Sequence, residues 1–332
     1  MRYLLILFSC FAFSQQGSLY TLAFYNVENL FDAIDNPKTF DDDYTPMGRN
    51  KWTAPLVDQK VKLLSTVIFS IGNEETKRPP LLIGLVEVEN KMVVQKIASS
   101  EKLKDFNYGI VHFESPDFRG IDTALLYRKT LFNVTHQKAY TLELVDLKTG
   151  YKRTTRDILV VSGYLNQHHL TVLVNHWPSR RGGKIRSAPQ RFKAAQLHRK
   201  ITDSIARKHP KGKIISMGDY NDDPKDKSLQ WIMEKKGEKI LHNPMLAMAK
   251  KGVGSLAYND RWHLFDQMLF SLNWYNDPSL FLLKTAVYSP PKLRTLRGRY
   301  QGYPFRTVIR GNTLEGYSDH FPVYTILGEK KD

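Results

Sequence analysis

Lys213-Ile-Ile-Ser-Met-Gly-Asp-Tyr-Asn-Asp-Asp223 is the stretch on which the fold reading turns. Its start, with β-branched Ile214 and Ile215 followed by Met217, has the length and composition of a strand, and it stops on Gly218 and a carboxylate, Asp219. The same grammar recurs along the chain. Leu22-Ala-Phe-Tyr25 stops at Asn26, Leu82-Ile-Gly-Leu-Val86 at Glu87, and Thr171-Val-Leu-Val174 at Asn175-His176. Four apolar runs therefore end in residues able to ligate a cation or move a proton. Strand ends that feed loops let a rigid sheet hold such side chains toward one cleft. Near the C-terminus, Ser318-Asp319-His320 precedes the run Phe321-Pro-Val-Tyr324, and Asp266 heads Asp266-Gln-Met-Leu-Phe270. Those words add two carboxylates and a second histidine.

Further out, strand-like runs fall at Leu19–Tyr25, Leu81–Val86, Ile121–Tyr127, Ile158–Leu165, Leu170–Val174, Lys213–Met217, Phe265–Ser271 and Pro322–Leu327. Val57, Val61, Leu64, Ile68 and Ile71 recur at steps of three and four, which predicts a helix, and Thr53 with Pro55 suits its start. A second helix is predicted from about Pro189 to Lys208. Strands alternating with helices over the whole length argue for an α/β or layered α+β architecture. The polar stretch Asp32–Asn50 reads as a loop, and its Asp41-Asp42-Asp43 is either a calcium site or a solvated turn.

With 332 residues, 42% apolar residues and one Cys, the chain can bury a large core and is neither disordered, fibrous nor disulfide-stapled. Its length allows one or two domains. Lys and Arg total 49 against 33 Asp and Glu, a formal charge of +16. That field favours polyanionic partners such as nucleic acid, phospholipid headgroups or phosphorylated metabolites, or serves solubility alone. The opening MRYLLILFSCFAFSQQ carries Arg2, an apolar run from Leu4 to Phe13, and small residues at Ala12 and Ser14, the anatomy of a secretory signal peptide over residues 1–14. Cys10 lies inside the apolar stretch, a poor position for lipidation. The run is too short for a bilayer span, and no later segment approaches ~20 apolar residues. The expectation is a soluble, secreted or periplasmic monomer without Cys, with a charge of +15 once Arg2 is lost.

Asn26, Glu87, Asp219 and Asn221 offer hard oxygen ligands, suited to Mg²⁺, Mn²⁺ or Ca²⁺ and poorly suited to zinc. Asp219 and Asn221 lie two apart, so on extended backbone their side chains point the same way. His176 and His320 complete an inventory for phosphoryl chemistry.

The six words Tyr25-Asn26-Val27-Glu28-Asn29, Gly84-Leu85-Val86-Glu87-Val88-Glu89-Asn90, Asn175-His176-Trp177, Gly218-Asp219-Tyr220-Asn221-Asp222, Asp266-Gln267-Met268-Leu269 and Ser318-Asp319-His320-Phe321-Pro322-Val323 come in that order. Together they resemble the endonuclease/exonuclease/phosphatase superfamily, which includes deoxyribonuclease I, exonuclease III, sphingomyelinases and inositol polyphosphate 5-phosphatases. The resemblance implies one domain over 18–329 with a four-layer α/β/β/α sandwich, two mixed sheets packed face to face and helices outside. It implies Mg²⁺ or Mn²⁺ as cofactor, held by Glu87 with Asn26 close by and Asp319 as either a further ligand or a residue behind the ligands, with Ca²⁺ as a candidate stabiliser. Asp219 would orient or deprotonate the attacking water, and Asn221 would bond a phosphate oxygen. His320 would contact the scissile phosphate with Asp266 fixing its tautomer. His176 would be a proton donor or phosphate ligand, with Asp122 either its orienter or a turn residue opening a strand. Which histidine is acid and which base stays open. The pattern departs in having Val86, where many members carry Gln, before Glu87, and Glu89 two residues on is a candidate extra ligand.

Two basic stretches bear on the substrate. Trp177-Pro-Ser-Arg180-Arg181-Gly-Gly-Lys184-Ile-Arg186 follows His176 directly, which makes Arg180 and Arg181, with Asn175, the candidate substrate-binding residues. Lys292 to Arg306 interleaves arginines with Tyr300 and Tyr303, a pattern that neutralises phosphates and stacks bases, or is only a solvated loop. The leading expectation is an exported metal-dependent nuclease. A sphingomyelinase-like or inositol-phosphatase-like phosphoesterase is the alternative enzyme, and an inactive nucleic-acid-binding module the alternative from another class.

Overall fold

The computed structural model describes residues 17–145, 150–309, 312–313 and 316–330, so the expected signal segment and Cys10 lie outside the described residues. Twelve strands build two six-stranded sheets. In chain order they are β1 (Ser18–Leu30), β2 (Leu82–Val88), β3 (Tyr108–His112), β4 (Asp122–Arg128), β5 (Phe132–Tyr140), β6 (Ile158–Leu165), β7 (His168–His176), β8 (Lys213–Asp219), β9 (Leu241–His242), β10 (Asp266–Ser271), β11 (Leu280–Val287) and β12 (Val323–Glu329). The first sheet runs β11-β12-β1-β2-β4-β3 and the second β9-β10-β8-β7-β6-β5. Each is antiparallel except for one parallel pair near its middle, β1 with β2 and β7 with β8. All eight sequence-predicted strand runs fall on these strands.

Strand alternation sorts the side chains into layers. Leu22 and Phe24 of β1, Val172 and Val174 of β7, Met217 of β8, and Met268 and Phe270 of β10 meet between the sheets in one buried cluster. The alternate residues Ala23, Tyr25, Ile83 and Leu85 face outward and pack with α1 (Ala54–Ser70) and α2 (Lys91–Ala98). On the other side α3 (Lys184–Lys208) and α4 (Lys227–Met233) cover the second sheet through Ala194, Ala195, Ile201, Leu229 and Ile232. The result is the expected four-layer α/β/β/α sandwich. Each fully buried Leu, Val, Ile, Met or Phe in it contributes about 1.5–3 kcal/mol. Gly84 sets how closely the sheets approach, because a Cβ there would lie 2.8 Å from Met217 Sδ and 3.2 Å from both Val174 methyls.

Two local expectations change. α3 begins at Lys184 and carries Pro189 inside it, five residues earlier than the proline-led start predicted. Ser187 Oγ, donating to the Gly183 carbonyl at 2.7 Å, and Arg191, donating to the Lys184 carbonyl at 3.0 Å, secure the extra turn. In the 32–50 loop, buried Asp41 caps a turn by accepting from Asn36 N and Thr39 Oγ1, while Asp42 and Asp43 are exposed. Among the described residues no helix is long and apolar enough to cross a membrane.

Candidate active site

Asn26, His176, Asp219 and Asp266 continue the inward-facing rows of Leu22–Phe24, Val172–Val174, Met217 and Met268–Phe270, one step beyond the apolar core. Register then brings them together: Asp219 pairs with His176 on one side and with Asp266 on the other, so three chemically active side chains stand abreast on β7, β8 and β10. Asn26 reaches across from the first sheet and donates Nδ2 to Asp219 Oδ2 at 3.2 Å. Glu87 should point outward by alternation. Its φ of +63° breaks the pairing of β2 with β4 between Val86 and Val88 and turns it into the cleft, where Oε1 lies 3.8 Å from His176 Nε2.

His320 arrives on the loop before β12. Ser318 Oγ donates to the Asn26 carbonyl at 2.7 Å and accepts from His320 N at 3.1 Å, which pins this loop to β1. His320 Nδ1 meets Asp266 Oδ2 at 2.6 Å, and Ser255 Oγ donates to the same oxygen. Donor atoms of Asp219, Asp266 and His320 lie within 4.8 Å of one another, all buried. Burial alone would lower the His320 pKa, but the Asp266 carboxylate, with Asp319 and Asp219, outweighs it and holds the imidazolium well above the usual range. Asp219 is pushed up to about 7 by burial, against the pull of His320. It also accepts from Asn221 N at 2.9 Å. His176 is driven the other way, well below its ordinary value, by burial and then by the charges of Arg156 and Arg119.

Beside these lies a charged knot that sequence reasoning missed, although Glu28 stands inside one of the six words. Glu28, in the left-handed region at φ +51°, accepts from Arg306 Nε at 3.0 Å and Thr307 N at 2.6 Å. Fully buried Lys60 of α1 donates to the Glu28 carbonyl and to Thr307 Oγ1, both at 2.6 Å. Arg306 Nη2 also donates to Asp319 Oδ2 at 3.1 Å. The only sequence signal for Lys60 was a cation one step from Val61 on an apolar helix face.

The donor set fits a hard divalent cation. Burial and the Asp319 charge hold the Glu28 carboxyl up at about 7, and burial followed by the charges of Glu87, Glu28 and Asp319 raises the Tyr44 phenol. Glu87, Asp319 and Glu28 all act electrostatically on Tyr44 and Lys60, which gathers these carboxylates on one side of the site, and oxygen is their donor atom throughout. Glu87 and Asp319 would hold the ion, with Asn26 adjacent.

Several expected roles are not met. Asp122 does not orient His176: its Oδ2 meets His112 Nε2 at 2.9 Å and its Oδ1 accepts from Ser115 N at 2.7 Å. The edge strand β3 supplies the nearer partner. Asn175 faces away from the cleft by alternation and is fully buried, donating to Ser216 Oγ and the Met217 carbonyl and accepting from Trp177 Nε1. Arg180 is occupied by Asp222, Asp223 and Asp226 at 3.3, 3.2 and 2.8 Å, lies over the Phe265 ring, and donates to the Asn221 carbonyl. It braces the loop after Asp219 and does not wait for phosphate. Arg181 is exposed. Glu89 accepts from Asp32 N at 2.7 Å, because the left-handed Glu87 breaks the alternation that would have aligned the two. Asn221 donates one Nδ2 proton to the Trp177 carbonyl at 3.0 Å, leaving its second for the cleft.

A family model described as Endonuclease/Exonuclease/phosphatase family matches residues 21–329. Among solved structures, truncated Caenorhabditis elegans TDP2 is similar at 14% identity and a TM-score of 0.58, covering 93% of this chain and 97% of that one. D. rerio TDP2 complexed with single strand DNA product is similar at 14% identity and TM-score 0.56, covering 93% and 99%. A Bacteroides thetaiotaomicron mannosyl-6-phosphatase is similar at 14% identity and TM-score 0.52, also covering 93% and 99%. No curated protein matches in sequence. Likeness at such identity carries the fold; the family match spans the six words and the site they build. The chain belongs to the endonuclease/exonuclease/phosphatase family and is a phosphoester hydrolase.

Proposed function

We propose that this protein is an exported, divalent-metal-dependent phosphodiesterase whose substrate is nucleic acid. The observation that carries the substrate is a cleft of about 430 Å³ running outward from Glu28, Tyr44 and Asp319, lined by Arg49, Tyr258, Tyr300, Tyr303 and Arg306. Trp262 stands 5.7 Å from Tyr303 and stacks at 6.0 Å on Phe321, the neighbour of His320, so aromatic faces lead away from the catalytic histidine. Such faces take bases regardless of sequence, and arginines beside them neutralise backbone phosphates. A TDP2 relative is named with a DNA product, which agrees with this reading. Export rests on the N-terminal sequence alone.

A bound cation would withdraw charge from a non-bridging phosphate oxygen and lower the pKa of a ligated water. The chain's own residues do the rest. Asp219, aligned by Asn26 and Asn221, accepts the proton of the attacking water. The free Nδ2 proton of Asn221 bonds a phosphate oxygen. The His320 imidazolium, held by Asp266, donates toward the developing negative charge. His176, kept neutral, supplies a hydrogen bond at the same phosphate.

The test is cleavage of plasmid DNA, RNA, sphingomyelin, a sugar 6-phosphate and bis(p-nitrophenyl) phosphate by the purified protein with Mg²⁺, Mn²⁺, Ca²⁺ or EDTA. Nucleic-acid cleavage abolished by EDTA is expected. Turnover confined to sphingomyelin or the sugar phosphate would replace the nuclease reading, and EDTA-resistant cleavage would remove the metal.

A further inference from the structure

Arg156, two residues ahead of β6, is a buried guanidinium that the chemistry described so far does not use. Its Nη1 donates to Asp117 Oδ2 at 3.1 Å and to Thr155 Oγ1 at 2.6 Å, and its Nη2 donates to the Trp177 carbonyl at 2.8 Å. The same carbonyl accepts from Asn221 Nδ2 at 3.0 Å. Asp117 is itself buried and held, with Oδ1 accepting from Arg119 N at 3.0 Å and Oδ2 from Thr155 Oγ1 at 3.1 Å. Hydrogen bonds alone therefore lead from Asp117 through Arg156 and the Trp177 carbonyl to Asn221.

The Trp177 carbonyl depends on that hold. It belongs to the peptide bond before Pro178, a residue with no N–H, so this peptide unit can be anchored only through its oxygen. The preceding unit is fixed separately, because Trp177 N donates to the Asp219 carbonyl at 2.9 Å. Arg156 on one lone pair and Asn221 on the other set the plane of the carbonyl. A carbonyl oxygen only accepts, so Asn221 must turn its amide nitrogen to it and cannot turn Oδ1. The backbone of Asn221 is already pinned, in the left-handed region at φ +50°, with its N–H on Asp219 Oδ1 and its carbonyl accepting from Arg180 Nε, both at 2.9 Å. The orientation of its amide plane is the freedom that remains, and the Trp177 carbonyl removes it. Arg156 is matched in charge by Asp117, so the pair delivers to the site a fixed acceptor and no net charge.

We infer that Arg156 is a positioning residue: through the Trp177 carbonyl it makes Asn221 present an N–H, and not its carbonyl oxygen, to the substrate phosphate. This rests on the phosphoesterase reading of the site, in which Asn221 bonds a phosphate oxygen. The experiment is a double-mutant cycle of Arg156→Met and Asn221→Ala, with Arg156→Lys beside it. It is read as kcat and KM for bis(p-nitrophenyl) phosphate with Mg²⁺ and as calorimetric affinity for inorganic phosphate. Loss of one hydrogen bond to a charged oxygen predicts both kcat/KM and phosphate affinity about 10–100-fold lower in Asn221→Ala. Arg156→Met should lose a comparable amount, Arg156→Lys less, and the double variant no more than Asn221→Ala alone. Arg156→Met strands the buried Asp117 carboxylate, so Asp117→Leu with Arg156→Met is made as well. That chain leaves neither charge of the pair unmatched, and its loss should also vanish in the Asn221→Ala background. An Arg156→Met chain within twofold of wild type overturns the assignment. So do losses that multiply in the double variant, since Arg156 would then act on the fold at large or on the phosphate without Asn221. Failure of the Asp117→Leu/Arg156→Met chain to fold makes the pair structural and overturns it too. A wild-type protein that hydrolyses no phosphoester and binds no phosphate overturns the phosphoesterase reading and this inference with it, an outcome seen before any variant is made.

Discussion

Asp266→Asn tests the histidine–carboxylate pair most directly. The carboxylate is fully buried, sits 2.6 Å from His320 Nδ1, and is the foremost charge raising the imidazole against burial, which favours the neutral ring. The amide has the same size and can still accept from His320 Nδ1 and bond Ser255, but it carries no charge. His320 is then left with burial opposed only by the weaker charges of Asp319 and Asp219, so its pKa falls. The imidazolium population at neutral and alkaline pH falls with it, so the activity profile should lose its alkaline side first. Loss of a charge-assisted hydrogen bond in the transition state costs roughly 1.5–3 kcal/mol, so kcat should fall by at least about 10–10²-fold. Stability should change little, because Asp266 Oδ1 has no hydrogen-bond partner and the buried anion is already costly. The assay is Mg²⁺-dependent turnover of bis(p-nitrophenyl) phosphate from pH 5 to 9, with His320→Ala and the double variant alongside. Paired residues predict that the double variant is no worse than His320→Ala. A kcat for Asp266→Asn within threefold of wild type, or fully additive losses in the double variant, would refute the reasoning.

Three further outcomes follow from the same structure. Gly84→Ala should destabilise by about 1–3 kcal/mol through overpacking against Met217 and Val174, and Gly84→Ala with Met217→Ala should recover part of that in urea unfolding. Recovery of nothing would place the strain elsewhere. Burial, then the Arg199 charge, pushes the His198 imidazole down to about 3, so the native state stays neutral while the unfolded chain protonates below about 6.5. Stability from this group is present above that pH and falls as pH drops toward 3, by up to about 1.4 kcal/mol per unit, a slope that His198→Gln should remove between pH 6 and 4. Mg²⁺ should raise the thermal midpoint of the wild-type protein relative to EDTA by mass action, and Glu87→Gln and Asp319→Asn should each blunt that rise. An undiminished rise in both would move the cation away from Glu87 and Asp319.

Much of the site was legible because the period of a strand is local. Once Leu22–Tyr25, Thr171–Val174 and Ile214–Met217 read as strands, covalent geometry alone puts Asn26, His176 and Asp219 on the row of the inner core residues. The same alternation, applied strictly, also sends Asn175 to the helix side, where it lies. The 3.6-residue repeat similarly placed the buried face of α1, while the start of α3 depended on side chains that secure its extra turn.

Choice of partner was a tertiary matter. Asp122 bonds His112 because β3, and not β7, is its neighbour at the sheet edge. Arg180 is drawn to three carboxylates that only the fold of the loop after Asp219 gathers. Glu28, Lys60 and Arg306 meet across sequence separations of 32 to 278 residues, and the Glu87 inward turn depends on one left-handed residue in β2. A pattern in sequence tells which face of an element a side chain occupies, since that is fixed within a few bonds. Which charge it meets there depends on strand order and loop packing, where burial makes every unpaired group costly and only the assembled sheets decide the pairing.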